Sequence, residues 1–581
     1  MVTANAPMRI LLVVLSLCCL AFSLSPISHP SLYASMRWPF LASSHWRRDA
    51  ARPTNLTGPQ VQLAQGLLTG VSAPQFRQDY FLGIPYAQSP LGELRFSQPR
   101  PPKVNPSHRI DATAYGKACL QPLFGGLTGL TTSDLSEDCL FINIIRPSNL
   151  PRGTKLPVMV WIHGGAFYLG ASQLFNGSAI VAQSVLLNEP VIYVSLNYRL
   201  NAFGFLGAPE LAGDSTTGTL NAGLHDMIGA LKWVQENIGA FGGNKNRVIV
   251  FGESAGAIAI GTLLVAGGGH YVKHHNLFHG AIMESGAPAG LPVPTVSDLV
   301  PWTNIFTTAA GCLPSDPSII SCLRSKPSEM LYQASLVTLS ATTGLALVYN
   351  RVVDGFFFQE GKRAAEEVRK GNVADVPIIA GCNLDEGTLF VPHTFNTADE
   401  IVNFFRGLLY VGNLSVATPE QTKLFKGLLE LYPDIPAIGS PYEPVGASKD
   451  DRFFGSNNQY KRAASLLGDI VFHSGAYLST PCLIEFGGWN TTNGVHFFLS
   501  NAGELYHSGR RALLDAYIKH FGFYPAWTYL YTQVTPDTPA YQGVYHGSEL
   551  PAGEFAVQPP LALHRCHSRS LIIFTCPPPS L

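Results

Sequence analysis

A Gly-x-Ser-x-Gly motif centred on Ser254 is the clearest chemical signal in the amino-acid sequence. The motif follows the β-branched run 248–251 and precedes the stretch 257–264, which has helical periodicity. This order of strand, turn and helix is typical of a nucleophile elbow, in which Gly252 and Gly256 leave room for a tight turn. Ser254 would then stand above the edge of a sheet, where its hydroxyl can attack a carbonyl carbon.

A serine nucleophile also needs a base for its proton and N–H donors for the oxyanion of the tetrahedral intermediate. The glycine-rich segment 163–167 (HGGAF) follows the apolar run 158–162, so its backbone N–H groups can complete an oxyanion hole with the N–H of Ala255. With 17 histidines in the chain, residue type alone does not select the base. With 39 acidic residues, residue type does not select the acid that orients the base either.

Short apolar runs alternate with helical periodicity from residue 156 onward, which predicts an α/β fold with a large, mostly parallel sheet and crossover helices. The clearest predicted strands are 158–162, 191–196, 248–251, 376–380, 495–499 and 527–531. Apolar residues at helical spacing between Leu224 and Ile238 predict one amphipathic crossover helix. We find no internal repeat or charged linker over residues 55–551, which we interpret as one domain with insertions.

The composition excludes some classes of function. Charged residues are 13% of the 581 residues, against about 25% in an average globular protein, and the net charge is −1. Hydrophobic residues make up 46% of the chain. These values argue against disorder and against a surface that binds nucleic acid.

The N-terminus resembles a secretory signal. Residues 10–24 are almost entirely apolar and follow Arg9, but a membrane span needs about 20 residues. We predict a signal peptide over residues 1–25, an extension over 26–54, and a secreted mature chain without an integral membrane span. An uncleaved membrane anchor is the alternative.

Cysteines and sequons agree with export. Outside the predicted signal the cysteines are Cys119, Cys139, Cys312, Cys322, Cys382, Cys482, Cys566 and Cys576. In an exported chain such residues are expected in disulfides, and without a CxxC pair or an HExxH motif we predict no metal site. Predicted glycosylation sites are Asn55, Asn176, Asn413 and Asn490.

Seven segments together resemble the type-B carboxylesterase and lipase family, which includes the cholinesterases and secreted fungal lipases. In family order they are FLGIPYA (81–87), SEDCLFIN (136–143), WIHGGAF (161–167), NYRLNAFGF (197–205), FGESAG (251–256), NLDEG (383–387) and VYHG (544–547). The resemblance implies an α/β-hydrolase fold with a serine, acid and histidine triad in that chain order.

Residue roles follow from the same resemblance. It implies that Ser254 is the nucleophile, His546 the base and Glu386 the orienting acid, and that the oxyanion donors are Gly165, Ala166 and Ala255. Asp385, beside Glu386, is a credible acid by chemistry alone, but the family motif favours Glu386. Glu253 precedes the nucleophile and either supplies negative potential for the imidazolium or is a structural acid. We do not assign it a catalytic role.

The resemblance also implies several structural pairs. These are the disulfides Cys119–Cys139 and Cys312–Cys322 and the buried ion pairs Arg95–Glu137 and Arg199–Asp226. Cys382 adjoins the acid motif and is expected to be a buried free thiol. The pairing of Cys482, Cys566 and Cys576 stays open.

We therefore expect a secreted serine carboxylic ester hydrolase that acts through an acyl-enzyme on a small-molecule or lipid ester without a cofactor. The rival hypothesis is a catalytically weak or inactive interaction protein on the same fold. The glycine-rich apolar loop 124–130 is expected to be either a lid or a static surface loop. The sequence does not reveal the ester or its acyl chain length.

Residues 552–581 depart from the family pattern. Six prolines occur from Pro551 onward, so a terminal helix is improbable there. Because a missing packed helix would expose apolar sheet surface, we expect the chain as written to be poorly soluble or weakly active.

Overall fold

The computed structural model describes residues 58–123, 128–212, 218–288, 293–342, 347–360, 364–409, 419–473, 526–531, 538–550 and 571–574. The strands are β1 (Gln60–Leu63), β2 (Gly66–Thr69), β3 (Val71–Ala73), β4 (Gln78–Pro85), β5 (Arg109–Asp111), β6 (Ala118–Cys119), β7 (Leu135–Ser136), β8 (Phe141–Pro147), β9 (Leu156–Ile162), β10 (Ile192–Leu196), β11 (Gly243–Glu253), β12 (Gly280–Glu284), β13 (Ile378–Asn383), β14 (Ala526–Tyr531) and β15 (Leu571–Phe574).

A ten-stranded sheet organises the molecule. Its order is β15-β14-β13-β12-β11-β9-β10-β8-β4-β3. The six strands from β14 to β10 pair in parallel, and the remaining neighbours pair antiparallel. The remaining strands form two small sheets, β1-β2-β5 and β6-β7. The expected α/β architecture with a mostly parallel sheet is confirmed.

Twelve α-helices lie within the described ranges. They are α1 (Ser178–Leu186), α2 (Asn201–Phe205), α3 (Ala222–Asn237), α4 (Ala255–Val265), α5 (Tyr271–His274), α6 (Val296–Ala309), α7 (Ile319–Ser325), α8 (Ser328–Ser340), α9 (Ala364–Arg369), α10 (Ala398–Leu409), α11 (Pro419–Glu430) and α12 (Tyr460–Gly468). One of the short 3₁₀ helices, Glu386–Leu389, lies near the site described below, and so does a short π-helix, Asp469–His473.

Alternating side chains of the parallel strands supply two separate cores, one on each face of the sheet. In β9, Val158, Val160 and Ile162 pack into the larger core, which includes residues of α3 and α4. Met159 and Trp161 point to the other face and pack with residues of α1. Because both faces are covered by helices, these strands are apolar throughout, as parallel strands usually are.

Most predicted elements have their counterparts. Runs 158–162, 248–251 and 527–531 lie within β9, β11 and β14, run 191–196 exceeds β10 by one residue, and the predicted crossover helix is α3. The predicted strand 376–380 begins too early, because β13 starts at Ile378 after Pro377, whose ring leaves no N–H for the ladder. The predicted strand 495–499 lies outside the described residues.

Other strands were not predicted. The five-residue strand β12 was missed because so short an apolar run has no period that separates it from a buried helix segment. In the C-terminal tail, residues 571–574 form the edge strand β15, antiparallel to β14. The rest of the segment 552–581 lies outside the described residues.

The structure contains the two disulfides and both ion pairs that the resemblance implies. The disulfides are Cys119–Cys139 and Cys312–Cys322, and Cys382 is a buried free thiol. Arg95 contacts Glu137 at 2.6 Å, and Arg199 contacts Asp226 at 2.7 Å. These four charged side chains are buried in the fold, so they hold loops together rather than meet a substrate.

Several predictions fall outside the described residues. They are the signal peptide and N-terminal extension, the sequons at Asn55, Asn413 and Asn490, the cysteines Cys482, Cys566 and Cys576, and loop residues 124–127. Asn176 lies in the described part, half-buried at the start of α1, and its glycosylation stays a prediction. No helix of the described ranges is both long and apolar enough to cross a membrane.

Candidate active site

The carboxyl ends of four adjacent parallel strands meet at one edge of the sheet. The segments that follow β9, β11, β12 and β13 begin at His163, Ser254, Ser285 and Leu384. Loops at the carboxyl ends of parallel strands are where open α/β sheets bind ligands. The topology therefore brings the predicted oxyanion loop, nucleophile and acid to the same edge.

Ser254 occupies the sharp turn between β11 and α4. Its backbone has φ 53° and ψ −122°, a strained conformation for a residue with a side chain. The N–H of Ser254 donates to the carbonyl of Glu284 at 2.8 Å, which ties the turn to β12. A Cβ on Gly252 or on Gly256 would collide with the carbonyl oxygen of Ile162, so the close approach of β9 requires both glycines.

Glu386 and His546 form a short, buried contact. His546 Nδ1 lies 2.6 Å from Glu386 Oε2, and the Glu386 side chain is fully buried. The other carboxylate oxygen accepts from Ser285 Oγ at 2.6 Å and from the N–H of Asn383 at 2.7 Å. With these bonds the carboxylate cannot rotate, and it holds the imidazole ring in one orientation.

Asp385, the adjacent acid, points elsewhere. Its Oδ1 accepts from Ser440 Oγ at 2.8 Å and from the N–H of Tyr442 at 3.0 Å. Its Oδ2 accepts from the N–H of Val544 at 2.9 Å. Asp385 thus fastens two loops beside the site, while Glu386 contacts the histidine.

A second carboxylate meets the other side of the imidazole. Glu253 Oε1 lies 2.9 Å from His546 Nε2, at an angle outside that of a hydrogen bond, and both side chains are buried. Burial opposes the charged ring, but the carboxylates of Glu253 and Glu386 outweigh it and raise the pKa of His546 well above its usual value. The two carboxylates therefore favour the protonated form of the ring.

A third buried carboxyl group, that of Glu549, lies close enough to Glu253 and Glu386 to feel their charges. It accepts a hydrogen bond from Asn383 Nδ2, and Asn383 Nδ2 also donates to the carbonyl of Tyr545 at 2.9 Å. Burial, followed by the charges of Glu253 and Glu386, raises the pKa of Glu549 to about 8. Glu549 is therefore mainly protonated at neutral pH, which limits the negative charge around the histidine.

Two aromatic rings pack against the imidazole. The ring centroids of Phe390 and Phe472 lie 4.9 Å and 4.6 Å from that of His546. Apolar rings at this distance keep water away from the ring, which strengthens its interaction with the two carboxylates.

The predicted oxyanion loop packs directly on the nucleophile turn. A Cβ on Gly164 would lie 3.0 Å from the Cβ of Ser254 and 2.7 Å from Glu253 Oε2, so only glycine allows this approach. The next two residues, Gly165 and Ala166, have positive φ values of 105° and 56°. Such a conformation is uncommon for alanine and is held by the surrounding packing.

Neighbouring side chains fix this loop. Tyr198 donates its hydroxyl to the carbonyl of His163 at 2.8 Å, and the two rings stack at 4.4 Å. The N–H of Asn201 donates to the carbonyl of Phe167 at 3.0 Å. In the part of the chain that the structure describes, no hydrogen bond uses the N–H of Gly165, Ala166 or Ala255. These are the three groups predicted to hold an oxyanion.

The comparisons with known proteins decide the family. Residues 57–477 match the sequence model described as Carboxylesterase family. The chain belongs to the carboxylesterase family. Its fold class and its class of enzyme, a carboxylic ester hydrolase, are those expected from the sequence.

Individual relatives agree with this assignment. Lipase 2 of Geotrichum candidum is 34% identical over 463 residues, which cover 73% of this chain and 76% of that lipase. Secreted lipase 1 of Botryotinia fuckeliana is 33% identical over 452 residues, covering 73% of this chain and 74% of that protein. The crystal structure of Aspergillus niger EstA superposes with a TM-score of 0.65 at 24% identity, covering 86% of this chain and 84% of EstA. That last likeness concerns the fold.

Sequence reasoning missed several groups of this carboxylesterase site. Ser285, Asn383, Phe390, Phe472 and Glu549 were given no role. Only Glu549 left a usable signal, since it follows the base by three residues in the segment HGSEL. The others reach the site from separate strands and turns. Within the described ranges, no cluster of histidine, cysteine and acidic side chains is arranged to hold a metal ion.

The contact between Glu253 and His546 predicts the pH dependence of turnover. The base must be neutral to accept a proton, so the raised pKa of His546 means that kcat/KM rises with pH until that pKa is passed. Replacing Glu253 with Gln removes a negative charge from Nε2, lowers the pKa of His546 and moves the acid limb of the profile to lower pH.

The measurement is kcat/KM against pH for wild type and Glu253→Gln, with Glu329→Gln on α8 as the control for an exposed acid. The control should follow the wild-type profile. An acid limb of Glu253→Gln that stays in place or moves to higher pH would show that Glu253 does not control the ionisation of His546.

Proposed function

We propose that this carboxylesterase is a secreted serine ester hydrolase that forms an acyl-enzyme on Ser254. The observation that carries the proposal is the 2.6 Å contact between Glu386 Oε2 and His546 Nδ1 at the sheet edge where Ser254 occupies its strained turn. An orienting acid on Nδ1 selects the tautomer whose Nε2 can accept a proton. This is the arrangement that serine acyl transfer needs.

In the first half of the proposed reaction, Ser254 Oγ attacks the carbonyl carbon of the ester while His546 Nε2 takes the hydroxyl proton. The carbonyl oxygen becomes an oxyanion and accepts hydrogen bonds from the N–H groups of Gly165, Ala166 and Ala255. The imidazolium then gives its proton to the alcohol oxygen, the C–O bond breaks and the alcohol leaves. The acyl group stays on Ser254.

Water completes the cycle. A water molecule attacks the acyl carbonyl carbon and gives its proton to His546 Nε2. The second tetrahedral intermediate collapses, the imidazolium returns the proton to Ser254 Oγ, and the carboxylic acid is released. Glu386 and Glu253 stabilise the imidazolium in both halves, because each carboxylate lies within 3 Å of a ring nitrogen.

Glu253 has a second effect in this mechanism. In its contact with Nε2 it competes with Ser254 for the atom that must accept the proton. A neutral ring loses most of the attraction to Glu253 and is then available to the hydroxyl. Deprotonation of His546 is therefore the event that prepares the enzyme for attack.

The substrate that we propose is a lipid or small-molecule ester, and the proposed location is outside the cell. The relatives named as lipases and as a secreted lipase support both statements. The apolar N-terminal segment 10–24 supports export independently, since it has the length and the preceding basic residue of a signal peptide. The mechanism requires no cofactor.

Covalent labelling tests the proposal. The full chain is treated with a fluorophosphonate probe, digested, and the modified peptide is located by mass spectrometry. We expect one adduct, on Ser254, because the probe needs an activated serine. Matched p-nitrophenyl esters from short to long acyl chains then define the substrate.

Two results would contradict the proposal. A folded chain that takes up no probe and hydrolyses none of the esters would favour the interaction-protein hypothesis. An adduct on another serine would move the nucleophile away from the elbow.

A further inference from the structure

A cavity of about 460 Å³ lies on the side of α3, away from the proposed triad. It is open to solvent on one side and is lined by one face of α3, the proline-rich segment 98–102 and the turn that contains Asp354 and Phe356. None of the residues assigned to the triad or to the oxyanion hole lines it. The volume falls in the range that holds a small organic molecule, about 300 to 1,000 Å³.

Three rings form an aromatic wall of this cavity. His225 and Phe356 are nearly parallel, with centroids 5.7 Å apart and an interplanar angle of 18°. Tyr271 stands almost perpendicular to Phe356 at 4.9 Å. All three side chains are partly exposed to the cavity rather than sealed in the core. Such a wall suits a planar ring, which can stack on one face and meet another edge-on.

His225 also contributes polar atoms. Within the described ranges neither of its ring nitrogens makes a hydrogen bond, although the side chain lines the cavity. Burial, then the positive charges of Arg199 and Lys232, lowers the pKa of His225 to about 4. The ring is therefore neutral at pH 7 and can donate one hydrogen bond to a ligand.

Two cationic side chains reach the cavity without a carboxylate partner among the described residues. Lys232 lies two turns after His225 on α3, with its ammonium 5.7 Å from the centroid of Tyr271. Arg100 also lines the cavity and is exposed. No described ion pair includes either of them.

The acids of the cavity are placed differently. Asp354 Oδ2 accepts from Asn221 Nδ2 at 2.7 Å, and its Oδ1 accepts from the N–H groups of Phe356 and Phe357 at 3.0 and 2.8 Å. Both oxygens of the Asp354 carboxylate therefore already accept hydrogen bonds from the protein. Glu236 lies one further turn along α3 and is exposed. Among the exposed lining residues, Lys232, Arg100 and Gln98 can donate to a ligand, as can the half-buried His225 N–H, and Glu236 is the exposed acid.

We propose that this cavity is a second ligand site that binds a small aromatic carboxylate. The ring of the ligand stacks in the wall formed by His225, Tyr271 and Phe356. Its carboxylate pairs with Lys232 and Arg100 and accepts the N–H of His225. The site is separate from the ester-hydrolysing centre, so the ligand binds whether or not Ser254 is intact.

Two fluorescent probes with the same ring test the proposal. Titration of the full chain with 2-naphthoate should give one site, and 2-naphthol, which lacks the carboxylate, should bind about tenfold more weakly. Lys232→Glu should weaken binding of 2-naphthoate by about tenfold or more, because it replaces the cation with a charge of the ligand's own sign. Lys245→Glu, another exposed lysine on the adjacent strand β11, is the matched control and should change nothing.

The proposed function and this proposal fail separately. Binding of 2-naphthoate should be equal in wild type, in Ser254→Ala and in fluorophosphonate-labelled protein. Displacement by the covalent label would place the probe in the catalytic centre and overturn the second site. Equal affinity for the two probes, an unchanged affinity in Lys232→Glu, or no binding at all would overturn it as well.

Discussion

Ser254→Ala is expected to lower kcat for ester hydrolysis by about 10⁴- to 10⁶-fold. The substitution removes the one atom that forms the acyl-enzyme bond. The base and the orienting acid then have no hydroxyl to activate, so only binding and the oxyanion donors still favour the reaction. Residual turnover should be insensitive to fluorophosphonate, because no activated serine is left to label.

The fold should survive this change. Ser254 is half-buried, and the hydrogen bonds that tie it to Glu284 and to Ile258 use its backbone. Alanine keeps the Cβ and therefore occupies the same strained backbone with the same packing. We expect thermal unfolding of Ser254→Ala within about 1 kcal/mol of wild type.

The measurement is kcat on a p-nitrophenyl ester together with a thermal unfolding curve. Ser325→Ala is the matched control, because that serine is exposed and its hydroxyl donates to the carbonyl of Cys322 within the same helix, α7. It should keep full activity. A correctly folded Ser254→Ala that retains activity within tenfold of wild type would remove Ser254 from the mechanism.

Glu386→Gln is expected to lower kcat by about 10⁴-fold, and Asp385→Asn by much less. The Glu386 carboxylate contacts His546 Nδ1 at 2.6 Å, whereas the Asp385 carboxylate bonds Ser440 and the backbone of two loops. An amide at position 386 cannot stabilise the imidazolium with a full negative charge, and it can hold the ring in the wrong tautomer. Only Glu386 is therefore expected to act on the chemistry.

Asp385→Asn should instead reduce stability. Turning one acceptor oxygen into an NH₂ group leaves a backbone N–H, either that of Tyr442 or that of Val544, facing a donor. The cost of one unsatisfied buried group is about 1 to 3 kcal/mol.

Each variant of this pair is the control for the other, since both remove one charge from adjacent positions. The two readouts are kcat at saturating substrate and the free energy of unfolding. We expect a large loss of kcat for Glu386→Gln, and a loss of stability with little loss of kcat for Asp385→Asn. The reverse pattern would exchange the roles of the two acids.

The sequence by itself determined the local features of this protein. The elbow around Ser254 could be read directly, because a strand, two obligatory glycines and a helix are all encoded within about twenty adjacent residues. The parallel strands β9, β10 and β11 could be predicted equally well, since strands that are covered on both faces appear in the sequence as short apolar runs. The resemblance to the carboxylesterases added the residues that no local pattern connects, above all His546 and Glu386.

Only the tertiary structure decided which side chains meet. Asp385 and Glu386 are neighbours in sequence and equal in chemistry, yet the turn after β13 points one into two loops and the other at His546. The contacts of Glu253 and Phe390 with the imidazole join segments that are far apart in the chain. The cavity beside α3 likewise forms where a helix, a proline-rich segment and a turn converge. Contacts between side chains of separate elements depend on how those elements pack, and the periodicity of the sequence within one element does not predict them.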